Sequence, residues 1–318
     1  MGRRTAVWKA ALWGGICGTL PDMDVFISYS DAVRDMTYHR AESHAFFYLT
    51  LAAPLIAWLA SKLHGEMALF KRWCVALWLA LVTHPILDAT TIYGTQLLLP
   101  FTDHPYGTGS MFIIDPLYTL PLLVGVVVAM WRKAFAGLPW NGAGLILSTA
   151  YLGWSMVAQA HVRGVVNEAL AGQEVAAQHI LVTPAPLNTI LWRVVVMRPG
   201  GFDEGYYSLL DADRTIRFER YASEASLLEA TIDIWAVQRM AWFTHGFFKM
   251  QQRDGKAILT DLRMGSEPNY VFSFELAQRQ GGAWQATTPT QVGSRGDPSA
   301  QLAWLWQRML GRDIPSPR

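Results

Sequence analysis

Residues Leu81–Thr90 read "LVTHPILDAT" and close an apolar run that begins at Trp73 and carries no Asp, Glu, Lys or Arg before Asp88. Such a run is the material of a buried or membrane-spanning helix, where a charge without a partner is costly. His84 and Asp88 are four residues apart, so on a helix they share one face. Whatever repays their placement has to come from elsewhere in the chain.

Working outward, the 318-residue chain is 52% hydrophobic and 16% charged, against about 25% charged in a soluble domain. The deficit is local. Residues 1–163 hold 11 of the 26 Lys and Arg and 9 of the 25 Asp and Glu. The composition therefore divides the chain into a helical membrane domain over 1–165 and a soluble domain over 166–318. A net charge of +1 carries no sign of a nucleic-acid partner. Cys17 and Cys74 lie inside apolar runs and form neither a disulfide framework nor a zinc ribbon. The N-terminus, "MGRRTAVWKAALWGG", starts like a signal peptide, but it runs straight into Leu20-Pro-Asp-Met-Asp24 with no small-residue cleavage site. It reads as a retained segment.

A spanning helix needs about 20 mostly apolar residues. Five segments qualify to different degrees: a short one near Thr5–Leu20, then Ala45–Ser61, Trp73 to about Thr91, the run from Asp115 to Trp131, and Gly142–Ala160. Lys and Arg favour the cytoplasmic side. Arg3, Arg4 and Lys9 open the first segment, Lys62, Lys71 and Arg72 separate the second from the third, and Arg132 and Lys133 separate the fourth from the fifth. The other loops, 21–43 and 93–112, hold only Arg34 and Arg40 as cations. They are expected to face outward, on the periplasmic side of a bacterial inner membrane, with the C-terminal half on the same side if all five segments span.

From about Ile180 the pattern becomes short β-branched and aromatic runs, such as "TILWRVVVM", "TIRFERY" and "AILTDLRM", separated by turn-like pieces. Helical patches interrupt near Ser223–Ala230 and Pro298–Leu310. The expected fold class is an α-helical polytopic membrane domain of four or five helices, followed by a soluble α+β, mainly antiparallel β domain.

The polar residues of the first half gather on one side. Asp22, Asp24, Asp31, Asp35, Glu42, Asp88, Asp103 and Asp115 fall in or beside the outward loops, and only Glu66 does not. His39, His44, His84 and His104 follow them, with His64 the exception. Asp22 and Asp24 flank one residue after Pro21; on an α-helix they would point about 200° apart, so convergence requires irregular backbone. His39 sits in a loop, with Ser43 as a candidate cap and His44 at the start of the second helix. Imidazole nitrogen and carboxylate oxygen are ordinary ligands of zinc and also suit iron or manganese. Clustered carboxylates repel one another in a low dielectric, and a divalent cation removes that cost. Singly, each residue has an ordinary reading. Asp31 and Asp35 read as solvated loop charges, Glu42 as a helix-start acid, residues 108–110 as a turn and Asp115 as a helix cap.

Three stretches, "LPDMD" at 20–24, "HRAESHA" at 39–45 and "HPILDATTIYGTQLLLPF" at 84–101, resemble the membrane-bound predicted metal-dependent hydrolases of the YdjM/YbcI-like group. That family's pattern has Gly, Thr and Ser where this chain has Ala41, Ser43 and Ala45. Later stretches, including "TPAPLNTILWRVV" and "DLRMGSEPNYVF", resemble the family's long subgroup. The resemblance implies hydrolytic chemistry at a metal site and supplies no substrate. On this reading Asp22, Asp24, His39, His44, His84 and Asp88 hold one or two divalent ions, zinc first and manganese or iron as alternatives. Arg40 stabilises developing negative charge, and Asp22 or Asp24 activates water. The partners are the lipid bilayer and a lipid or lipid-linked ester. A metal transporter or sensor, and a non-catalytic anchor, are the competing classes.

Overall fold

The computed structural model describes residues 5–132, 136–173, 179–294 and 296–317; Arg3, Arg4 and Lys133, used in the loop-charge argument, lie outside the described residues. The chain forms two compact units that interleave in sequence. The first takes residues 1–27, 38–108 and 113–154, and the second takes 28–37, 109–112 and 155–318. The longest stretch of the second unit starts at Ser155, and Ala158, Val162, Val165 and Val166 pack into its core.

In the first unit, α1 (Val7–Thr19) leads through Leu20 into a 3₁₀ turn, Pro21–Phe26. A second 3₁₀ turn, Glu42–His44, precedes α3 (Phe46–Leu63), and α4 (Phe70–Asp88) follows a short link containing the turn Met67–Leu69. The intervening α2 (Ala32–Tyr38) belongs almost wholly to the second unit. Two further helices, α5 (Pro116–Trp131) and α6 (Leu138–Ala169), complete the helical part. α3 and α4 form a hairpin. Its seam sets Ala53, Ala57 and Ala60 of α3 against Trp73, Leu77 and Leu81 of α4, with Trp13 and Cys17 of α1 in the same cluster. Small residues at four- and three-residue spacing let the α4 side chains approach closely, as in membrane helix pairs. Trp78 Nε1 donates to Thr50 Oγ1 at 3.0 Å across the pair. The opposite faces are apolar and exposed: Leu51, Leu55 and Leu59 on α3, Val75 and Leu79 on α4.

Phe46–Leu63 and Met67–Asp88 are long and apolar enough to cross a membrane. The apolar α5 is shorter at 16 residues, and α1 has 13. α6, at 32 residues, has the length but not the apolarity of those two. Two of the five expected segments therefore qualify in full.

In the second unit, β1 (Ile180–Pro184), β2 (Leu191–Arg198), β3 (Gly201–Ser208) and β4 (Phe218–Ala222) form an antiparallel meander in that order. α7 (Ala225–Thr231) and α8 (Trp235–Phe243) follow. Then β5 (Phe248–Arg253), β6 (Lys256–Asp261), the small ribbon β7 (Gly265–Ser266) and β8 (Asn269–Tyr270), β9 (Ser273–Gln280) and β10 (Ala283–Gln291) complete the strands. The second sheet has the order β10-β9-β6-β5, also antiparallel. α9 (Pro298–Met309) closes the unit. Along β2 the period-2 alternation sends Trp192, Val194 and Val196 to one cluster with the end of α6, and Leu191 to another with Leu305 and Met309 of α9. The expected antiparallel β domain and both expected helical patches are present; α8 and β10 were not expected.

Two local readings change. Asp31 is buried: its Oδ1 accepts the N–H of Val33 (3.0 Å) and of Arg34 (2.9 Å), and it pairs with the Arg34 side chain, so it starts α2 instead of lying free in a loop. Asp35 accepts the Tyr29 N–H at 2.5 Å. Asp115 does cap α5, accepting from Leu117 N at 2.9 Å.

Candidate metal centre

The hairpin brings the start of α3 next to the end of α4, and the Pro21–Phe26 turn packs against the Glu42–His44 turn and α4. One ligand atom from each of Asp22, His44, His84 and Asp88 falls within 4.8 Å of the other three. His44 Nε2 lies 3.3 Å from Asp22 Oδ1 and 3.1 Å from Asp88 Oδ2. His84 Nε2 lies 3.4 Å from Asp22 Oδ1 and 3.2 Å from Asp88 Oδ2. The opening stretch supplies the last pair from successive turns of α4, as the four-residue spacing requires.

These contacts are not a closed hydrogen-bond network. His84 Nε2 and Asp88 Oδ2 are buried and make no hydrogen bond among the described residues. The tautomer of His44 sharpens the point. Ser43 has a single hydroxyl proton and donates it to Asp24 Oδ2 at 2.5 Å. Its oxygen, 2.8 Å from His44 Nδ1, must then accept from that nitrogen. The neutral ring thus carries its proton on Nδ1 and turns the Nε2 lone pair toward two carboxylate oxygens. A proton there answers one contact; one cation answers all four. Bonds of about 2.0–2.1 Å in a tetrahedron set neighbouring ligand atoms about 3.3–3.4 Å apart, close to the four imidazole–carboxylate spacings of 3.1–3.4 Å. Two imidazole nitrogens and two carboxylate oxygens also suit zinc, manganese or iron, so donor type and spacing both fit.

Asp24 and His39, expected as ligands, stand behind this group. A 3₁₀ turn advances about 120° per residue, so Asp22 and Asp24 diverge and reach opposite edges of His44. Asp24 Oδ1 meets His39 Nδ1 at 2.7 Å, and Oδ2 accepts from Ser43 and from Arg40 N (2.9 Å). Burial raises the Asp24 pKa, but hydrogen bonds from His39, Ser43 and the Arg40 backbone outweigh it and hold the carboxyl below its ordinary value. Asp22 is lowered as well, through contact with His44 first and His84 next, against the effect of burial.

Arg40 is almost wholly buried. Its Nη2 lies 3.2 Å from Asp88 Oδ1, its Nη1 donates to Thr91 Oγ1 at 3.3 Å, and its guanidinium sits over the Tyr93 ring. It therefore compensates Asp88 from behind and leaves Oδ2 to the group. Its backbone is left-handed, with φ 62°, which is uncommon for a residue other than glycine. That turn aims Arg40 N at Asp24 and its carbonyl at Gln96 N (2.9 Å). Ala41, where the resembling family has glycine, has φ −93° and no need of one. Ser43 is no helix cap; Ala45 holds the cap position of α3, and Ser43 links Asp24 to His44. The orienting roles of Ser43, Thr91 and Tyr93 had no sequence signal beyond proximity to the motifs. Glu42 is exposed, and His104 packs on Tyr106 with ring centroids 4.7 Å apart, outside the group.

Two helices long and apolar enough to cross a membrane, with a cluster of imidazoles and carboxylates at the end of their hairpin away from its turn, define a chain with two candidate spans and a metal-binding-capable group. The sequence pattern of the YdjM inner membrane protein family matches residues 1–162. The chain belongs to that family. Neither the curated proteins nor the solved structures contain a match to it.

Proposed function

We propose that the protein is a metal-dependent hydrolase of the inner membrane, with Asp22, His44, His84 and Asp88 holding a divalent ion, zinc first and manganese or iron as alternatives. The observation that carries this reading is the pair of buried, unpartnered atoms, His84 Nε2 and Asp88 Oδ2, facing His44 Nε2 and Asp22 Oδ1. Such an ion, when bound, supplies Lewis acidity and activates water for attack on an ester or phosphoester. Asp22 is the half-exposed member of the group. It is the ligand that substrate or water can displace, which separates a catalytic site from a closed structural one.

The chain's own residues divide the remaining work. Asp24, through Ser43, fixes the His44 tautomer, and Arg40 holds Asp88 in place. Both Asp24 oxygens are engaged, so Asp24 is a poor direct base. His39, donating Nδ1–H to Asp24, presents a free Nε2 lone pair from a partly exposed ring. This carboxylate-backed imidazole is the proton acceptor we assign. Lys62, Lys71 and Arg72 mark the opposite end of the hairpin and support a cytoplasmic placement for it. The ligand end, and by the same loop-charge argument the C-terminal unit, then face the periplasm.

The test is hydrolysis of p-nitrophenyl esters and bis-p-nitrophenyl phosphate by detergent-purified protein. Activity is expected to vanish with a chelator and to return with zinc. His39→Gln is expected to lower the rate by about 10²–10⁴ with metal content unchanged. Hydrolysis indifferent to the chelator, or absent from metal-loaded protein on every substrate, would overturn the reading.

A further inference from the structure

The Pro21–Phe26 turn has two characters. Asp22 and Asp24 turn toward the histidines, while every other residue except Pro21, namely Met23, Val25 and Phe26, is exposed and apolar. Phe26 is 79% exposed. A second exposed apolar tip, Phe101 at 78%, ends the 98–101 segment. Both lie outside the helices that could span a membrane, where side chains facing water are ordinarily polar.

The second tip is continuous with the exposed apolar side of the hairpin. Phe47 precedes the exposed Leu51 and Leu55 of α3 at four-residue steps, so the three form one stripe. The Phe101 ring meets Phe47 edge-on with centroids 5.8 Å apart. The Leu97 carbonyl accepts the Phe46 N–H at 3.0 Å, only two residues beyond His44. The stripe that faces acyl chains along α3 thus runs on to the mouth of the metal group. No Lys or Arg lies in 21–27 or 97–101, so neither segment carries a cation that would hold it in water or on a headgroup phosphate.

We infer that the metal group opens onto the lipid surface, with Met23–Ile27 and Leu98–Phe101 as lips seated in the bilayer interface. It takes an amphiphile whose ester or phosphoester reaches Asp22 while its acyl chain lies along Phe47 and Phe101. The substrate class rests on the hydrolase reading; the seating of the lips does not.

The experiment uses the full chain with Cys17→Ala and Cys74→Ala, and single cysteines introduced as Phe26→Cys, Phe101→Cys and, as a control in the β5–β6 turn, Asp254→Cys. Each is labelled with bimane and reconstituted in phosphatidylcholine–phosphatidylglycerol vesicles. Doxyl lipids are expected to quench positions 26 and 101 but not 254, and aqueous iodide the reverse. Iodide quenching of 26 and 101 as strong as that of 254 would overturn the seating. So would exclusion of both quenchers with disulfide formation between copies at position 26, which would show a second chain covering the patch. In the second arm, Phe26→Ser with Phe101→Ser is expected to lower the ratio of kcat/KM for a long-chain p-nitrophenyl ester to that for p-nitrophenyl acetate about tenfold. An equal change for both would overturn the amphiphile class. Absence of all hydrolysis with the lips quenched by lipid would count against the hydrolase reading alone.

Discussion

The two ends of the α3–α4 hairpin carry the same kinds of side chain and treat them differently. At the turn end, Glu66 accepts from Thr5 Oγ1 (2.7 Å), Lys9 Nζ (2.6 Å) and Trp73 Nε1 (3.1 Å). His64 Nε2 accepts from Trp13 Nε1 at 2.9 Å, and its ring stacks on Trp73. Each acceptor has a donor, and the cluster pins α1 to the hairpin. At the other end two histidines and two aspartates point ligand atoms at one another, and two of those atoms are left without a hydrogen bond among the described residues. Polar groups at a membrane helix end are inexpensive when they satisfy one another. Where several that could bind one ion converge without doing so, the group is able to hold a cation. In the C-terminal unit Arg193–Glu204 (2.6 Å), Arg263–Asp261 (2.7 Å) and Arg308–Asp211 (2.5 Å) answer buried charge with charge, and the single atoms without a hydrogen bond among the described residues, Arg193 Nε and Thr287 Oγ1, do not converge on one point as those of the histidine–aspartate group do.

Breaking a closed cluster should therefore cost stability and spare metal. The largest such effect is expected for Glu204→Ala, which leaves the buried Arg193 cation uncompensated. Its loss of stability should be about 3–5 kcal/mol, read by thermal unfolding of the β-rich unit with metal content unchanged. Metal loss in this variant would show that the closed and open clusters are not independent. Asp24→Asn sharpens the contrast from the other side. It disturbs the orientation of His44 and His39 without removing a member of the group, so metal affinity should fall about 10–100-fold in competition with a chelating dye. Unchanged affinity would remove Asp24 from any orienting role.

The smallest effect concerns Glu66. Burial raises its pKa, but Lys9, Thr5 and Trp73 outweigh burial and hold it below the ordinary carboxylate value. A depressed carboxylate stabilises the fold above its unfolded pKa, about 4.3, and loses that contribution as pH falls toward the folded value. Glu66→Gln should lower stability at pH 7 by roughly 1 kcal/mol, and the deficit should fade at acid pH, as pH falls through the folded value. An equal deficit at neutral and acid pH would assign the effect to shape, not charge.

Much of the site was legible because its strongest signals are local. His84 and Asp88 declare themselves by four-residue spacing in an uncharged run, and Pro21 marks irregular backbone beside Asp22. The division between the group and its orienting neighbours was not legible. It depends on the 3₁₀ twist that separates Asp22 from Asp24, and on the positive φ of Arg40 that brings its N–H to Asp24. Burial of Arg40 was also hidden, because its partners Asp88 and Thr91 are distant in sequence. In the second unit the alternation of β2 and its neighbours announced strands. The assignment of residues 28–37 to that unit did not show, since it rests on contacts such as Arg34 over Trp235 and Arg239 Nε to Thr37 Oγ1 at 3.1 Å, about 200 residues away.

The contrast between the hairpin ends is tested most directly by metal content. Wild type, His84→Ala and His64→Ala would be purified side by side in detergent and measured by mass spectrometry. Near-stoichiometric metal is expected in wild type and His64→Ala, with almost none in His84→Ala. Equal metal in all three, or none in any after loading with zinc, manganese or iron, would contradict a metal centre at Asp22, His44, His84 and Asp88.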